Sequence, residues 1–128
     1  MTYRAIGTFD VKVVPETSDE YIGRMSLDKQ FKGDLEAASS GQMLSASTEV
    51  QGSAGYVALE RVSGMLNRRH GTFILQHSGT MNRGSQHLAI SVVPDSGTGE
   101  LVGLSGNMSI AISDGRHSYA FEYSLEPG

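Results

Sequence analysis

"SGNMSIAISDGRHSYAFEYSL", residues 105–125, decides how this chain folds. Asp114-Gly115 at its centre is the pair that a two-residue hairpin turn prefers, because both turn positions need positive φ. Before the turn, Gly106, Met108, Ile110 and Ile112 alternate with Ser105, Asn107, Ser109 and Ala111. After it, Tyr119, Phe121, Tyr123 and Leu125 alternate with Ser118, Ala120, Glu122 and Ser124. A period of two is that of a strand with one buried face. A tight turn at Asp114-Gly115 sets Ile112 opposite His117, Ile110 opposite Tyr119, Met108 opposite Phe121 and Gly106 opposite Tyr123. Two apolar faces assigned separately therefore meet, and a slip of one residue would destroy the match.

The same period runs outward through the chain. Tyr3, Ala5, Gly7, Phe9, Val11 and Val13 alternate with polar neighbours, broken only by Ile6. Glu49 to Val62 comes closest to helical spacing, but Gly52, Gly55, Val57 and Val62 favour strand. Turn signals at Pro15 to Glu20, Lys32 to Asp34, Asn67 to Gly71, Gly79 to Gly84 and Pro94 to Glu100 divide the rest. Roughly eight strands remain, over 3–14, 21–31, 34–47, 54–64, 71–78, 85–93, 101–112 and 117–125. Gly41 within the third marks a bulge. The first hairpin is expected to place Phe9 against Met25 and Gly7 against Leu27, and the turn at Lys32 to Asp34 to set Phe31 against Leu35. Short links between successive strands predict an all-β chain: one domain over 1–128, an eight-stranded antiparallel up-and-down β-barrel. Closure buries the apolar face and removes both edges. A two-sheet sandwich is the alternative.

With 128 residues the chain is long enough for a core that needs no staple. A net charge of −4 argues against a nucleic-acid partner, which would call for a positive surface. The chain has no cysteine, which excludes disulfides, zinc–thiolate sites and thiol nucleophiles. No apolar run is long enough for a membrane span and no signal pattern opens the sequence, so no membrane partner and a cytoplasmic location are expected.

The glycine-rich stretch 92–106, "VVPDSGTGELVGLSG", invites a phosphate or nucleophile role. A phosphate loop needs a lysine and a following helix, and neither is present. The dinucleotide fingerprint needs glycine where Val102 stands. "PDSGT" and "GLSG" are incomplete matches to nucleophile motifs. A strand-connecting turn that uses glycine for positive φ is the simpler account.

Among the histidines, His77 and His87 fall on paired strands but on opposite faces, so they cannot share an ion, and no metal site or cofactor is expected. His77 shares the apolar face with Phe73 and Leu75. Glu60 joins it if the inward face of its strand is Tyr56, Ala58, Glu60 and Val62; the other choice is Val57, Leu59 and Arg61. With the next turn centred near Arg68, Glu60 falls opposite Leu75 and diagonal to His77. Lys29 lies on the apolar face of the second strand. An interior holding Glu60, His77 and Lys29 beside Tyr56, Phe73, Tyr119 and Phe121 has the composition of a binding or acid–base site.

Four blocks carry a resemblance: "FKGDLEAASSGQML" (31–44), "SAGYVALERVSGMLNRRHGTFILQHSGTMNRG" (53–84), "VVPDSGTGELVGLSGNMSI" (92–110) and "DGRHSYAFEYSL" (114–125). In order and spacing the chain resembles, nearly end to end, a bacterial family of unknown function numbered 3224. That resemblance implies an allene oxide cyclase-like, calycin-type barrel, the architecture of a plant enzyme that cyclises a fatty-acid epoxide in an apolar cavity. No motif carries that enzyme's catalytic residues onto this chain. Relatives of the barrel form oligomers, so a homo-oligomer, dimer or larger, is expected, and the mixed outer face of His87, Ala89, Ser91 and Val93 allows one.

The expected function is binding of a small apolar or amphipathic ligand in the barrel interior, with Glu60 and His77 orienting its polar end. The alternatives are an isomerase or cyclase-like enzyme using Glu60 as base and His77 as proton partner, or a packed structural barrel with no ligand.

Overall fold

The hairpin at Asp114-Gly115 forms as its sequence dictates. β7 (Leu104–Ser113) and β8 (Arg116–Leu125) pair with Ile112 opposite His117 and Gly106 opposite Tyr123, and φ at the two turn residues is 53° and 75°. The structure, a computed structural model, describes residues 1–126. Before that hairpin come β1 (Tyr3–Ser18), β2 (Gly23–Gly33), β3 (Leu35–Ser47), β4 (Ala54–Leu66), β5 (Arg69–Asn82), β6 (Ser85–Val92) and a short 3-10 turn, Gly99–Leu101. The strands pair in chain order, and β1 returns to β8 to close an eight-stranded antiparallel barrel. Among the described residues no helix is long and apolar enough to cross a membrane.

Several registers differ from expectation, each for a local reason. β1 runs on through Pro15, where a bulge between Pro15 and Thr17 accommodates a residue without an N–H. The turn moves to Asp19–Ile22, where the Asp19 carboxylate accepts from the amides of Tyr21 and Ile22, both at 2.7 Å. Phe9 consequently faces Phe31 and Gly7 faces Gly33, not Met25 and Leu27. Phe31 pairs with Ala37 rather than Leu35, because Asp34 is the centre of its turn. β5 continues to Asn82 and turns through Arg83-Gly84, so Gly79 lies inside a strand. Gly41 is not a bulge: it pairs in unbroken register with Glu60, and a Cβ there would lie 2.6 Å from the Glu60 Cα.

The stretch 92–106 also differs. β7 begins at Leu104, and residues 93–103 form a strap along the edge of β5 that β6 leaves uncovered. Ser96, Thr98 and Glu100 use side-chain oxygens at successive alternate positions to accept from the amides of Ile74, Thr72 and His70, at 3.0, 3.1 and 3.0 Å. The strap approaches so closely that a Cβ on Gly71 would run into the Thr98 carbonyl. Leu101, in the 3-10 turn, plugs this end of the barrel together with Leu35, Leu66 and Leu104.

The two ends of the barrel are therefore unlike. Below the middle, Phe31, Phe73, Phe121 and Leu75 fill the interior. At the opposite end, the mouth, inward-facing Met25, Met43, Tyr56 and Met81 are only half-buried. The wall opens there too. β6 and β7 pair only through Ile90–Met108 and Ser91–Asn107, so Ser85–Ala89 and Ser109–Ser113 have no partner across the seam. Hydrogen exchange should report this: amides of those segments directed into the seam should exchange at least ~10-fold faster than amides of β4 and β5. Uniform protection around the barrel would show a closed seam.

Candidate functional site

β4 settles which of its faces turns inward. Leu66 pairs with Arg69 across the Asn67-Arg68 turn, so Glu60 lies opposite Leu75 and Ala58 opposite His77. Val57 and Leu59 are about half exposed on the outer wall, and Glu60 is 1 % exposed. The buried polar side chains of the described residues are Lys29, Ser39, Glu60 and His77, and they form one cluster. Glu60 Oε2 accepts from Lys29 Nζ at 2.8 Å and from His77 Nε2 at 2.5 Å, while Oε1 accepts from Ser39 Oγ at 2.8 Å. A carboxylate can only accept, so Nε2 of His77 carries a hydrogen. Lys29 lies over the rings of Phe9 and Phe31, 5.1 and 5.7 Å from their centroids, which adds cation–π attraction to the ion pair.

Ser39 was invisible to strand patterning, since a serine on an inward face has no signal of its own. The register would have found it, because Lys29 is directly opposite Ser39 and Ser39 directly opposite Val62. Gly41 belongs to the same layer: without a side chain it lets the strand lie against the backbone of Glu60.

Burial pushes the Glu60 carboxyl up, but the His77 hydrogen bond and the Lys29 charge outweigh it and hold the pKa at about 2, against an ordinary 4.5. A depressed carboxyl stabilises the fold above its unfolded pKa and loses that contribution as pH falls to the folded value. Urea midpoints should accordingly fall between about pH 4.5 and about pH 2, a loss on the order of 3 kcal/mol over the window. The variant Lys29→Met with Glu60→Gln should lack this component; an unchanged acid profile in that variant would assign the loss to other groups.

Above the cluster, on the mouth side, stands Tyr56. Its hydroxyl is 3.5 Å from His77 Nδ1, and burial, followed by the negative charge of Glu60, raises its pKa and keeps it a phenol. Tyr56 forms one wall of an open cleft of about 410 Å³ that also touches Met43, Met81, Gly79 and Leu88. The cleft lies within the size range of small-molecule sites. A Cβ on Gly79 would collide with the Tyr56 ring, so this glycine makes room for it.

The structure thus brings Lys29, Glu60, His77 and Tyr56 together and sets Phe73, Tyr119 and Phe121 elsewhere. Phe73 stacks on Phe121 at 5.9 Å and Phe121 on Tyr123 at 5.2 Å, in the filled half of the barrel. Tyr119 is a latch: its hydroxyl accepts from the Leu35 amide at 2.9 Å and donates to the Lys32 carbonyl at 3.0 Å. These three rings are core and do not line the cleft. His87 is exposed while His77 is buried, on opposite sides of the wall.

Comparison with known proteins agrees with this architecture. A crystal structure of a protein of unknown function from Shewanella oneidensis MR-1, of the DUF3224 family, superimposes with a TM-score of 0.96. The two chains are 50% identical, and the match covers 100% of each. Among curated proteins none matches. Residues 5–123 match the family described as "Protein of unknown function (DUF3224)", and the chain belongs to that family.

Proposed function

We propose that the barrel binds a small amphipathic molecule at its mouth, with the apolar part against Met43, Tyr56, Met81 and Leu88 and the polar end at the Tyr56 hydroxyl. The observation that carries this is the cleft itself: about 410 Å³, predominantly apolar, and ending on a tyrosine backed by the buried His77–Glu60 pair. Flexible methionine side chains suit a site that must adapt to an apolar guest. The depression on the outer wall over Asp10, Asp28 and Arg61 lacks this character, because exposed charges of both signs border it.

Binding is favoured over proton-transfer catalysis by the state of Glu60. A carboxylate with a pKa of about 2, engaged by three donors, is a poor general base at neutral pH. Its role in this reading is to fix the His77 ring, which in turn faces Tyr56. The filled lower half argues that the guest occupies the mouth and not the full length of the barrel.

A titration with the neutral dye Nile red tests the site. One saturable binding event with blue-shifted emission is expected, and Leu88→Asp, at a position already 43% exposed, should weaken it at least about ten-fold. Undiminished dye binding in that variant would move the site away from the mouth.

A further inference from the structure

On the premise that the mouth binds an amphipathic molecule, we infer that the polar group it recognises is an uncharged oxygen, a hydroxyl or a carbonyl, held by the Tyr56 hydroxyl, which His77 backs. Among the described residues the cleft touches no Asp, Glu, Lys or Arg, and His87, the titratable imidazole on its rim, is on the outer wall. The charges beneath are already committed: Lys29 is paired with Glu60, and Glu60 also accepts from His77 and Ser39. A carboxylate, phosphate or ammonium brought to Tyr56 would shed its water and meet no free opposite charge, which is costly.

A neutral oxygen finds partners at once. Nε2–H of His77 is directed at Glu60, and Nδ1 faces the Tyr56 hydroxyl that lines the cleft. The contact between Nδ1 and the Tyr56 hydroxyl is 3.5 Å, too long to be a strong hydrogen bond, which leaves the hydroxyl available to a guest in the cleft. The Tyr56 O–H donates to a ligand carbonyl. A ligand hydroxyl accepts from, or donates to, the same Tyr56 hydroxyl. Met43, Met81 and Leu88 then take the hydrocarbon portion, which leads toward the open β6–β7 seam.

Displacement of Nile red by four probes of equal chain length tests this at neutral pH: 1-decanol, 2-decanone, decanoate and decylammonium. The alcohol and the ketone should displace the dye at roughly ten-fold lower concentration than either ion. Tyr56→Phe should erase most of that preference while leaving the unfolding midpoint near wild type, with dye affinity redetermined in the variant and each displacement expressed relative to it. Decanoate or decylammonium binding as tightly as decanol would overturn the neutral-group assignment and leave the mouth standing as the ligand site. A preference that survives Tyr56→Phe would overturn the assignment to Tyr56. Failure of the dye to bind, or of every probe to displace it, would overturn the mouth as a ligand site and this inference with it.

Discussion

Glu60→Gln should lower the stability of the barrel by about 3–5 kcal/mol, and adding Lys29→Met should return most of it. The side chain of Glu60 is fully buried and that of Lys29 is 6% exposed. Removing the carboxylate charge leaves the ammonium over the rings of Phe9 and Phe31 with no counter-ion, and the barrel must hydrate it, deprotonate it or expel it. Methionine has nearly the length of lysine and no charge to satisfy, so the double variant keeps the volume of the layer. The glutamine carbonyl can still accept from Ser39 or His77, while its amide needs a new acceptor, which sets the residual cost. Urea unfolding of the wild type, both single variants and the double variant closes the cycle, and a coupling energy of several kcal/mol is expected. A cost below ~1 kcal/mol for Glu60→Gln would mean that water reaches the cluster and that the ion pair behaves like a surface one.

Why the cluster could be anticipated, and where anticipation stopped, follows from the arithmetic of strands. The side-chain period is two, so a register error of an even number of residues changes every partner and no face. The first hairpin illustrates it: Phe9 pairs with Phe31 instead of Met25, a shift of six, yet Phe9, Leu27 and Lys29 still point inward. The Asp114-Gly115 hairpin was legible to the residue, because its sequence names both positive-φ positions. The turn after Leu66 was legible only as lying within Asn67 to Gly71, and proves to be the two residues Asn67-Arg68. Turn chemistry at Asp19 was hidden because the whole of Pro15 to Glu20 read as one polar corner, while the strand in fact runs to Ser18. The strap along β5 left no trace in the pattern, since Ser96, Thr98 and Glu100 pair through side chains and have no apolar alternation. What distinguishes Tyr56 from the packed aromatics was equally out of reach. Inward-facing rings look alike in sequence; only the leucine plug at one end and the half-open seam at the other make one ring a wall of the cleft and the others core.

Phe121→Ala should cost about 3–5 kcal/mol and leave Nile red affinity at the mouth within about two-fold of wild type. Phe121 is 0% exposed and stacked between Phe73 and Tyr123 on the filled side of the charged layer. The strands around it are tied by the closed ladder, by the Tyr119 latch and by the strap, so the wall has little freedom to collapse into the vacated space. A rigid wall places such a substitution toward the expensive end of large-to-small changes, where the cavity term adds to the lost burial. The resulting void, lined by Phe73 and other apolar side chains, should stay dry and accept a small apolar guest such as benzene, with a measurable recovery of the unfolding midpoint. A cost near 1 kcal/mol with no benzene rescue would show that the lower half can repack. A large loss of dye affinity in this variant would show that the guest reaches past the Lys29–Glu60–His77 layer, and the filled half would then belong to the binding site.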